Sequence, residues 1–455
     1  MRHITSNTFL ILFIVSSIFT TLNCTIPIIS IPKNFLWGTA ISEYQVSGAL
    51  GCPNSNWAEW EVIPRNSTPH IAHGQLSGAA CDFKNHYREY IEIMKQLQIN
   101  AFRFSVEWSN IEPQEGIFSE RGIDFYEEFC DALLEAHITP MITLHHFTDP
   151  LWFAEKGGFE KEENIAYFVR FSQKVFERLG NKVELWVTIN EPTIYMFQGY
   201  LRGVFPPGKI NPVTAITVIR NLLKAHTRTY RTLKQMPNGK IAQIGIVHQY
   251  LMFYPYSSWN LLERIPGLMF NYILNTAVLN FLKTGIFKIN IPILFNCEYQ
   301  APKDQNILDF IGLNYYSRVI VKSQLSFTEP IIPSCYPDEI MTDMPYAMYP
   351  QGLYDAIAKM SELNVPIYIT ENGIPDEKDD RRETFIKEYL ASMGKAIKDG
   401  YDVRGYFYWS LMDNFEWDEG YIKKFGLCQV DFVTKTAKIR DGALCYPQII
   451  QQSLI

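Results

Sequence analysis

The segment Ile165–Glu191, IAYFVRFSQKVFERLGNKVELWVTINE, contains the alternation that decides the fold. From Ile165 to Leu179 apolar side chains recur every three or four residues, which predicts an amphipathic helix that ends at Gly180 in the C-cap position. The next run, Val183–Asn190, is short; five of its eight residues are apolar and four are β-branched. That composition is typical of a strand buried on both faces of a parallel sheet.

Seven other runs of this kind occur along the chain, each separated from the next by room for a helix. They are Phe35–Ala40, Ala101–Trp108, Pro140–Phe147, Ala242–Tyr250, Leu308–Tyr316, Pro366–Thr370 and Val403–Trp409. Between the first two, a helical pattern runs from Phe83 to Leu97, with Asp82 as its predicted N-cap.

Eight strand–helix units within one chain fit a closed (β/α)8 barrel better than an open sheet. An open doubly wound sheet would normally carry a GxGxxG turn after its first strand, and that turn is missing. The predicted fold is therefore α/β: a single (β/α)8 TIM barrel over 30–455, preceded by a signal-peptide-like segment. Length alone, at 455 residues, would allow three average domains.

The N-terminus predicts export. Arg2 and His3 precede Phe9–Phe19, in which nine of eleven residues are apolar. A short charged region before such a run indicates a signal peptide, here 1–24, and the run is too short to span a bilayer. The alternative is an additional buried helix or strand. The cleavage site is poorly marked, and the destination (periplasm, medium or secretory lumen) is left open.

Composition excludes several classes of protein. With 41 Lys+Arg against 48 Asp+Glu and a net charge of −7, the chain lacks the basic field of a nucleic-acid binder. The 14% of aromatic residues suits neutral ligands such as sugars, although large cores use aromatics too. Eight scattered cysteines without a CxxC pair predict no zinc site, and a bridge between Cys52 and Cys81 is left open. The apolar stretch Leu268–Leu282 is interrupted by three Asn and predicts an ordinary helix, so no membrane insertion of the mature protein is expected.

The carboxyl ends of the strands carry the active site in a barrel of this class. Polar and aromatic residues stand in or just beyond seven of the eight predicted strands: Gln45, Arg103, His146, Asn190-Glu191, Asn314-Tyr315-Tyr316, Glu371, and Trp409 through Glu416-Trp417. Glu191 and Glu371 belong to strands four and seven, which places two carboxylates across the barrel mouth from each other. Paired carboxylates that flank a bond are the requirement for glycoside hydrolysis.

Six runs in the chain resemble one enzyme family. They are FLWGTAISEYQVSGA, FRFSVEWSNIEP, TINEP, LDFIGLNYYS, YITENG and YWSLMDNFEW, the last followed by EGYIKKFG. They are similar to glycoside hydrolase family 1, the retaining β-glucosidase family, from about Phe35 to Asp431. The resemblance implies that Glu191 is the general acid/base and Glu371 the nucleophile, with Arg103 and the Tyr316 hydroxyl stabilising the nucleophile's charge.

The same resemblance implies a sugar-binding set. Gln45, His146, Asn190, Glu416 and Trp417 match positions that hydrogen-bond the glycone hydroxyls, and Trp409 matches the stacking floor. Asn314, Phe425 and Tyr346 complete the predicted substrate-binding residues. His145 is expected to point away from the site because strand side chains alternate between faces.

Subfamily features favour hydrolysis of O-linked β-glycosides without metal or cofactor. The thioglucosidase branch resembles this sequence with Gln at the position of Glu191, and phospho-glycosidases carry a smaller residue where Glu416-Trp417 stands. The alternatives left open are a catalytically weak glycan-binding or receptor-like module and, less favoured, a 6-phospho-β-glycosidase. Glucose, galactose and fucose are not distinguished, and the oligomeric state is unknown.

The departures from the family lie on the leaving-group side. Phe147 stands where the family run has Trp, and Pro345-Tyr346-Ala347 replaces a more usual Gly-Trp-Glu. The stretch around Thr284–Pro302 is shorter than is usual in the family. We therefore carry over no aglycone specificity from the resemblance, and we expect Tyr346 to influence it.

Overall fold

The computed structural model describes residues 31–65, 67–291, 295–302, 306–326 and 331–453. Eight parallel strands, each buried along most of its length, close into a barrel. They are β1 (Leu36–Ala40), β2 (Ala101–Ser105), β3 (Thr139–His145), β4 (Leu185–Asn190), β5 (Gln243–Gln249), β6 (Phe310–Asn314), β7 (Ile367–Asn372) and β8 (Val403–Trp409). Each strand lies within a predicted run or extends beyond it by one or two residues, and the predicted (β/α)8 barrel is confirmed.

The strands pair in chain order, and β1 closes the barrel between β2 and β8. At the carboxyl end Ala40 is level with both Arg103 and Trp409, so the ends of neighbouring strands meet at one rim. Register shifts interrupt β7 between Ile369 and Glu371. A bulge at a barrel rim re-aims the side chains that follow it, and Glu371 is one of them.

Helices cover the outside of the barrel. The longer ones are Phe83–Gln96, Glu120–Glu135, Ile165–Leu179, Pro212–Gln235, Pro350–Ser361 and Arg382–Lys398. Shorter ones are Glu43–Gly51, Asn56–Trp60, Trp108–Ile111, Leu151–Glu155, Pro192–Met196 and Cys445–Ser453, and Phe197–Arg202 is a π-helical turn. Additional strands lie outside the barrel at Phe253–Pro255, Ile286–Ile291, Phe295–Gln300, Val319–Ser323, Ile331–Ser334, Cys428–Val430 and Ala437–Ile439.

Two predicted helix caps are in place but work differently from the expectation. Asp82 is the N-cap of Phe83–Gln96, yet its φ of 51° is left-handed and its side chain makes no cap bond. Its carboxylate accepts instead from Asn85 Nδ2. Gly180 follows Ile165–Leu179 with φ −67°, so the left-handed freedom of glycine is not used there.

One long apolar helix runs from Leu261 to Thr284 and contains Pro266 and a π-helical turn at Tyr272–Thr276. Its mean hydropathy of 1.3 and its length would suffice to cross a membrane by composition alone, and 44% of its most apolar window is buried inside the protein. The segment predicted as an ordinary helix, Leu268–Leu282, lies within it and packs on the barrel through its C-terminal half.

The structure shows whether Cys52 and Cys81 form a disulfide. Cys52 and Cys81 are both buried free thiols, so the bridge left open by the sequence is absent. The predicted leader, 1–24, lies outside the described residues, and so does Asn66, the acceptor of an Asn-Ser-Thr glycosylation sequon.

Side chains fill the barrel interior and form the base of the site. This inner cluster includes Ala101, Met141, Val187, Phe310 and Phe407, with Trp409 and Phe425 at its upper edge. A much larger apolar cluster lies between the strands and the outer helices. The polar rim residues therefore lie over a closed apolar floor, which no water channel crosses in a barrel of eight strands.

Candidate active site

Glu191 begins the helix Pro192–Met196, directly after β4. Its backbone is left-handed at φ 44°, with its N–H donating to the carbonyl of Val247. The side chain is buried, and Asn314 Nδ2 donates to its Oε1 over 2.6 Å. Burial and the neighbouring Glu371 carboxylate raise the pKa of Glu191 well above its usual range, while Asn314 and Arg103 oppose that rise.

Glu371 follows the bulge in β7 and has a different environment. Arg103 Nη1 donates to its Oε1 over 2.6 Å, and the Tyr316 hydroxyl donates to its Oε2 over 2.7 Å. A guanidinium and a phenol on the two carboxylate oxygens stabilise the anion. The two carboxyl groups of the site therefore have different partners: a guanidinium and a phenol bond Glu371, and an amide bonds Glu191.

A hydrogen-bond network connects the residues under the two carboxyl groups. Arg103 is almost fully buried and donates Nε to Thr143 Oγ1, and Nη2 to Asn190 Oδ1 over 2.7 Å. Asn314 Nδ2 also reaches Asn190 Oδ1, at 3.3 Å. Since a buried guanidinium needs partners for its donors, these bonds fix the position of the group that binds Glu371.

The same network sets the state of His146. Asn190 Nδ2 lies 3.1 Å from His146 Nε2 and is the donor, so that ring nitrogen accepts and Nδ1 carries the hydrogen. Burial and Arg103 lower the pKa of His146 well below its usual value, which keeps the ring neutral. Within the described residues, His146 Nδ1 has no hydrogen-bond partner, and the ring lines the cavity. Nδ1 is itself buried, and its contact with a ligand hydroxyl stays a prediction.

The wall opposite β4 comes from the turn after β8. Gln45 Nε2 donates to Glu416 Oε2 over 3.0 Å and to Asn414 Oδ1 over 3.1 Å. Burial raises the pKa of Glu416 to about 8, with the Glu371 charge adding to the rise and the Gln45 donor opposing it. Trp417, at φ 47°, stacks on Tyr44 with ring centroids 6.1 Å apart.

These groups surround a cavity of about 200 Å³ at the carboxyl end of the barrel. Nine of the predicted residues line it: His146, Glu191, Tyr316, Tyr346, Glu371, Trp409, Glu416, Trp417 and Phe425. The other four lie behind its wall, each bonded to a lining side chain: Gln45 to Glu416, Arg103 to Glu371, Asn190 to His146 and Asn314 to Glu191. Direct contact between Gln45, Asn190 or Asn314 and a sugar stays a prediction.

The leaving-group side carries both departures noted in the sequence. Phe147, at φ 67°, lines the cavity and packs against Trp417 and Phe205 with centroids 5.4 and 5.8 Å apart. Tyr346 is half-buried, and burial together with Glu416 raises the pKa of its hydroxyl well above the usual value. His145 lies on the opposite face of β3, as predicted, where its Nε2 is 3.0 Å from Asp149 Oδ1.

Sequence reasoning missed several lining residues. Gln249 ends β5, the one strand for which no candidate was named, so the strand-end rule would have found it. Ile194, Gln198, Phe205 and Met344 come from loops and short helices, where the sequence gives no such signal. Among the residues that the structure describes, no group of three or more His, Cys, Asp or Glu is placed to hold a metal ion.

The site can perform acid and nucleophilic chemistry on one ligand. A carboxyl group whose pKa is raised and a second one that accepts from a guanidinium and a phenol face the same cavity. That is the division of roles by which a bond between two sugar units, or between a sugar and an alcohol, is cleaved.

The similarity to known proteins extends over the whole of the described barrel. The family model Glycosyl hydrolase family 1 matches residues 28–454. The chain is 35% identical over 453 residues to Beta-glucosidase A of Thermotoga maritima, across 93% of this chain and 98% of that protein. It is 34% identical over 451 residues to Beta-glucosidase A of Acetivibrio thermocellus, across 93% of this chain and 99% of that protein.

Solved structures agree. A β-glycosidase from Pyrococcus horikoshii superposes with a TM-score of 0.83 and 37% identity, over 93% of this chain and 96% of that one. The β-glucosidase from Thermotoga maritima in complex with glucoimidazole gives a TM-score of 0.83 and 31% identity, over 94% and 100%. The matched range of the family model includes every residue assigned to the site.

Proposed function

The chain belongs to glycosyl hydrolase family 1, and from this premise we propose that it hydrolyses O-linked β-glucosides or related β-glycosides through a covalent glycosyl-enzyme, with Glu371 and Glu191 in separate roles. The observation that carries the proposal is the unlike environment of two carboxyl groups on one cavity. Glu371 accepts from Arg103 and Tyr316, and burial together with the neighbouring Glu371 carboxylate raises the pKa of Glu191.

In the first step Glu371 attacks the anomeric carbon while the bond from that carbon to the leaving oxygen breaks. Glu191 donates its proton to that oxygen, so the aglycone leaves as a neutral alcohol. The Arg103 and Tyr316 donors keep the carboxylate positioned for in-line attack. The product of this step is a glycosyl ester on Glu371.

In the second step the ester no longer carries the negative charge that raised the pKa of Glu191. Glu191 can therefore exist as a carboxylate, accept a proton from water and direct that water to the anomeric carbon. The ester bond breaks and Glu371 leaves as a carboxylate. Two inversions at one carbon retain the β-configuration.

The glycone wall fits an unmodified sugar. Glu416 is mostly protonated at neutral pH in the free protein, because its pKa is about 8, and can donate to a hydroxyl or accept from one. His146 Nδ1 supplies a neutral donor, and Trp409 supplies an apolar face. No Lys or Arg is among the described residues that line the cavity, so a phosphate would lack a cationic partner beside Glu416 and a free 6-hydroxyl fits better. The names of the β-glucosidase relatives support glucose as a glycone, and so does the glucoimidazole bound in the Thermotoga maritima structure.

A mechanism-based label tests the proposal. The protein is incubated with a 2-deoxy-2-fluoro-β-glucoside that has an activated leaving group, and peptide masses are then mapped. We expect one glycosyl group on Glu371, and no label on a Glu371→Gln variant. An unlabelled protein without turnover would instead support a glycan-binding module, and a label on another carboxylate would refute the assignment of the nucleophile.

Export is part of the proposal and rests on the apolar run Phe9–Phe19 behind Arg2 and His3. Expressed in a secreting host, the chain should appear outside the cytoplasm with a new N-terminus close to residue 25. N-terminal sequencing of the recovered protein tests this expectation. A protein that stays inside the cells and still begins at Met1 would contradict the predicted signal peptide.

A further inference from the structure

An apolar stripe faces solvent on the helix Leu261–Asn271. Leu261, Ile265 and Leu268 follow the three-or-four spacing along one side, flanked by Leu262 and Met269. These five side chains are between 42% and 71% exposed. Single exposed apolar residues are common on protein surfaces, but a contiguous stripe of them marks a contact surface.

The opposite side of this helix is firmly attached to the protein. Phe270 stacks on Phe253 with centroids 5.0 Å apart. Asn271 bonds both the N–H and the carbonyl of Phe253, at 2.9 and 2.8 Å. The stripe is therefore presented by fixed packing and is not the result of a frayed helix end.

Two neighbouring side chains enlarge the stripe. Trp259, 81% exposed, precedes the N-cap Asn260. Asn260 Nδ2 donates to Ser323 Oγ over 2.9 Å, which ties the end of Val319–Ser323 to the start of the helix and brings the exposed Leu325 to the same end. We call these seven residues the apolar patch: Trp259, Leu261, Leu262, Ile265, Leu268, Met269 and Leu325.

The charges next to the patch are basic. Glu263 is the only acidic residue in the sequence between Tyr256 and Ile291, and it is turned inward and buried, accepting from Ser257 N–H at 2.7 Å and from Ser323 N–H at 3.0 Å. Arg264 is exposed beside the stripe, and Lys322 Nζ lies 4.4 Å from the Tyr256 ring centroid. In a chain of net charge −7, the basic groups Arg264 and Lys322 thus form a basic edge beside the apolar patch.

We propose that the apolar patch rests on an anionic lipid surface. An exposed Trp, an aliphatic helix face and adjacent basic groups are the combination with which helices lie in the headgroup region of a membrane. The basic edge complements anionic headgroups. The contact is peripheral, because the C-terminal half of the long helix, including Leu274 and Phe281, is buried against the barrel and cannot enter a bilayer.

A second copy of this chain fits the patch less well. In a two-fold dimer the same surface of both copies forms one interface, so the basic groups of both copies would be brought to it. Like charges brought together across an interface oppose association, whereas a lipid surface of opposite charge favours it.

The test is sedimentation of the purified protein with vesicles of phosphatidylcholine alone or with about one-third phosphatidylglycerol. We expect binding to the anionic vesicles that weakens with added salt. The double variant Leu262→Glu/Ile265→Glu should bind at least about tenfold more weakly, and Arg264→Glu should lose most of the preference for anionic lipid. The control is Val433→Glu, alone and combined with Leu444→Glu so that two charges are added as in the double variant; these apolar positions outside the patch are 90% and 47% exposed.

The control carries the same N-terminus as the other proteins, so differences between variants report on the patch and not on the leader. Thermal unfolding by circular dichroism verifies that each variant is folded, independently of any enzymatic activity. The proposal is overturned if neither vesicle binds, if Val433→Glu, alone or with Leu444→Glu, weakens binding as much as Leu262→Glu/Ile265→Glu, or if light scattering shows a dimer that Leu262→Glu/Ile265→Glu separates.

Discussion

Arg103 Nη1 donates to Glu371 Oε1 over 2.6 Å, and both side chains are almost completely removed from solvent. The guanidinium also bonds Thr143 and Asn190, so it is oriented before it meets the carboxylate. Glu371, the proposed nucleophile, is therefore held by a group that other buried side chains position in turn.

Arg103→Lys should lower kcat/KM by about two to three orders of magnitude, because an ammonium cannot make the Thr143, Asn190 and Glu371 bonds together. Steady-state rates on an aryl β-glucoside measure it. Arg404→Lys is the control: this arginine pairs with Asp402 at the exposed surface and should change the rate little. Equal losses in the two variants would show that the fixed geometry of Arg103 has no special role.

Glu191→Gln should slow the cleavage of poorly activated glycosides by about two to four orders of magnitude, since their leaving oxygen needs a proton. Dinitrophenolate is a good leaving group without protonation, so the glycosylation step of dinitrophenyl glycosides should keep nearly its full rate. Pre-steady-state measurement of that step separates it from hydrolysis of the ester. An equal loss for good and poor leaving groups would refute the acid role.

Glu416→Gln should flatten the pH dependence of stability. The pKa of Glu416 is raised to about 8 in the folded protein from 4.5, so the folded state binds a proton that the unfolded state releases. This contribution to the free energy of unfolding is complete below about pH 4.5 and is lost as the pH rises to about 8, by up to roughly 5 kcal/mol.

Urea unfolding of wild type and variant across this pH window measures the difference. Glu298→Gln, at an exposed carboxylate, is the control and should leave the pH profile as it is in the wild type. A wild-type profile that Glu416→Gln leaves unchanged would contradict the raised pKa.

Tyr346→Ala should change the preference among aglycones. Tyr346 lines the cavity beside Met344 where the family more usually has Trp, and its removal takes away an aromatic wall. Relative kcat/KM values across aryl and alkyl β-glucosides measure the effect, expected to be about tenfold for the aromatic aglycones. Unchanged ratios would refute this role. If the variant changed relative kcat/KM values only across a panel of different glycones, Tyr346 would belong to the glycone wall near Glu416 instead.

The sequence was sufficient for the barrel and for the centre of the site. Strands buried on both faces read as continuous apolar runs, and polar residues at their carboxyl ends converge because the strands are parallel. Glu191 and Glu371 were found in this way. The family resemblance supplied the division of their roles, which the spacing of residues alone does not contain.

The sequence could not show how far each side chain reaches. Gln45, Asn190 and Asn314 were assigned to the substrate; the structure shows their bonds to Glu416, His146 and Glu191, and their contact with a sugar stays a prediction. A position at a strand end does not determine a rotamer. Gly180 and Asp82 show the same limit at helix ends, where a favourable residue type is present and the expected cap geometry is not.

Three lining residues, Phe147, Glu191 and Trp417, share a left-handed backbone that only glycine adopts without cost. Each such residue costs of the order of 1–3 kcal/mol, so the mouth of the barrel is built at the expense of its own folding free energy. Glycine at position 191 would remove this strain together with the carboxyl group on which the proposed acid role depends. Glycine at Phe147 or Trp417 would also empty a buried position, at a cost of about 3–5 kcal/mol each that outweighs the strain. Only at Glu191 do backbone stability and the proposed chemistry therefore oppose each other.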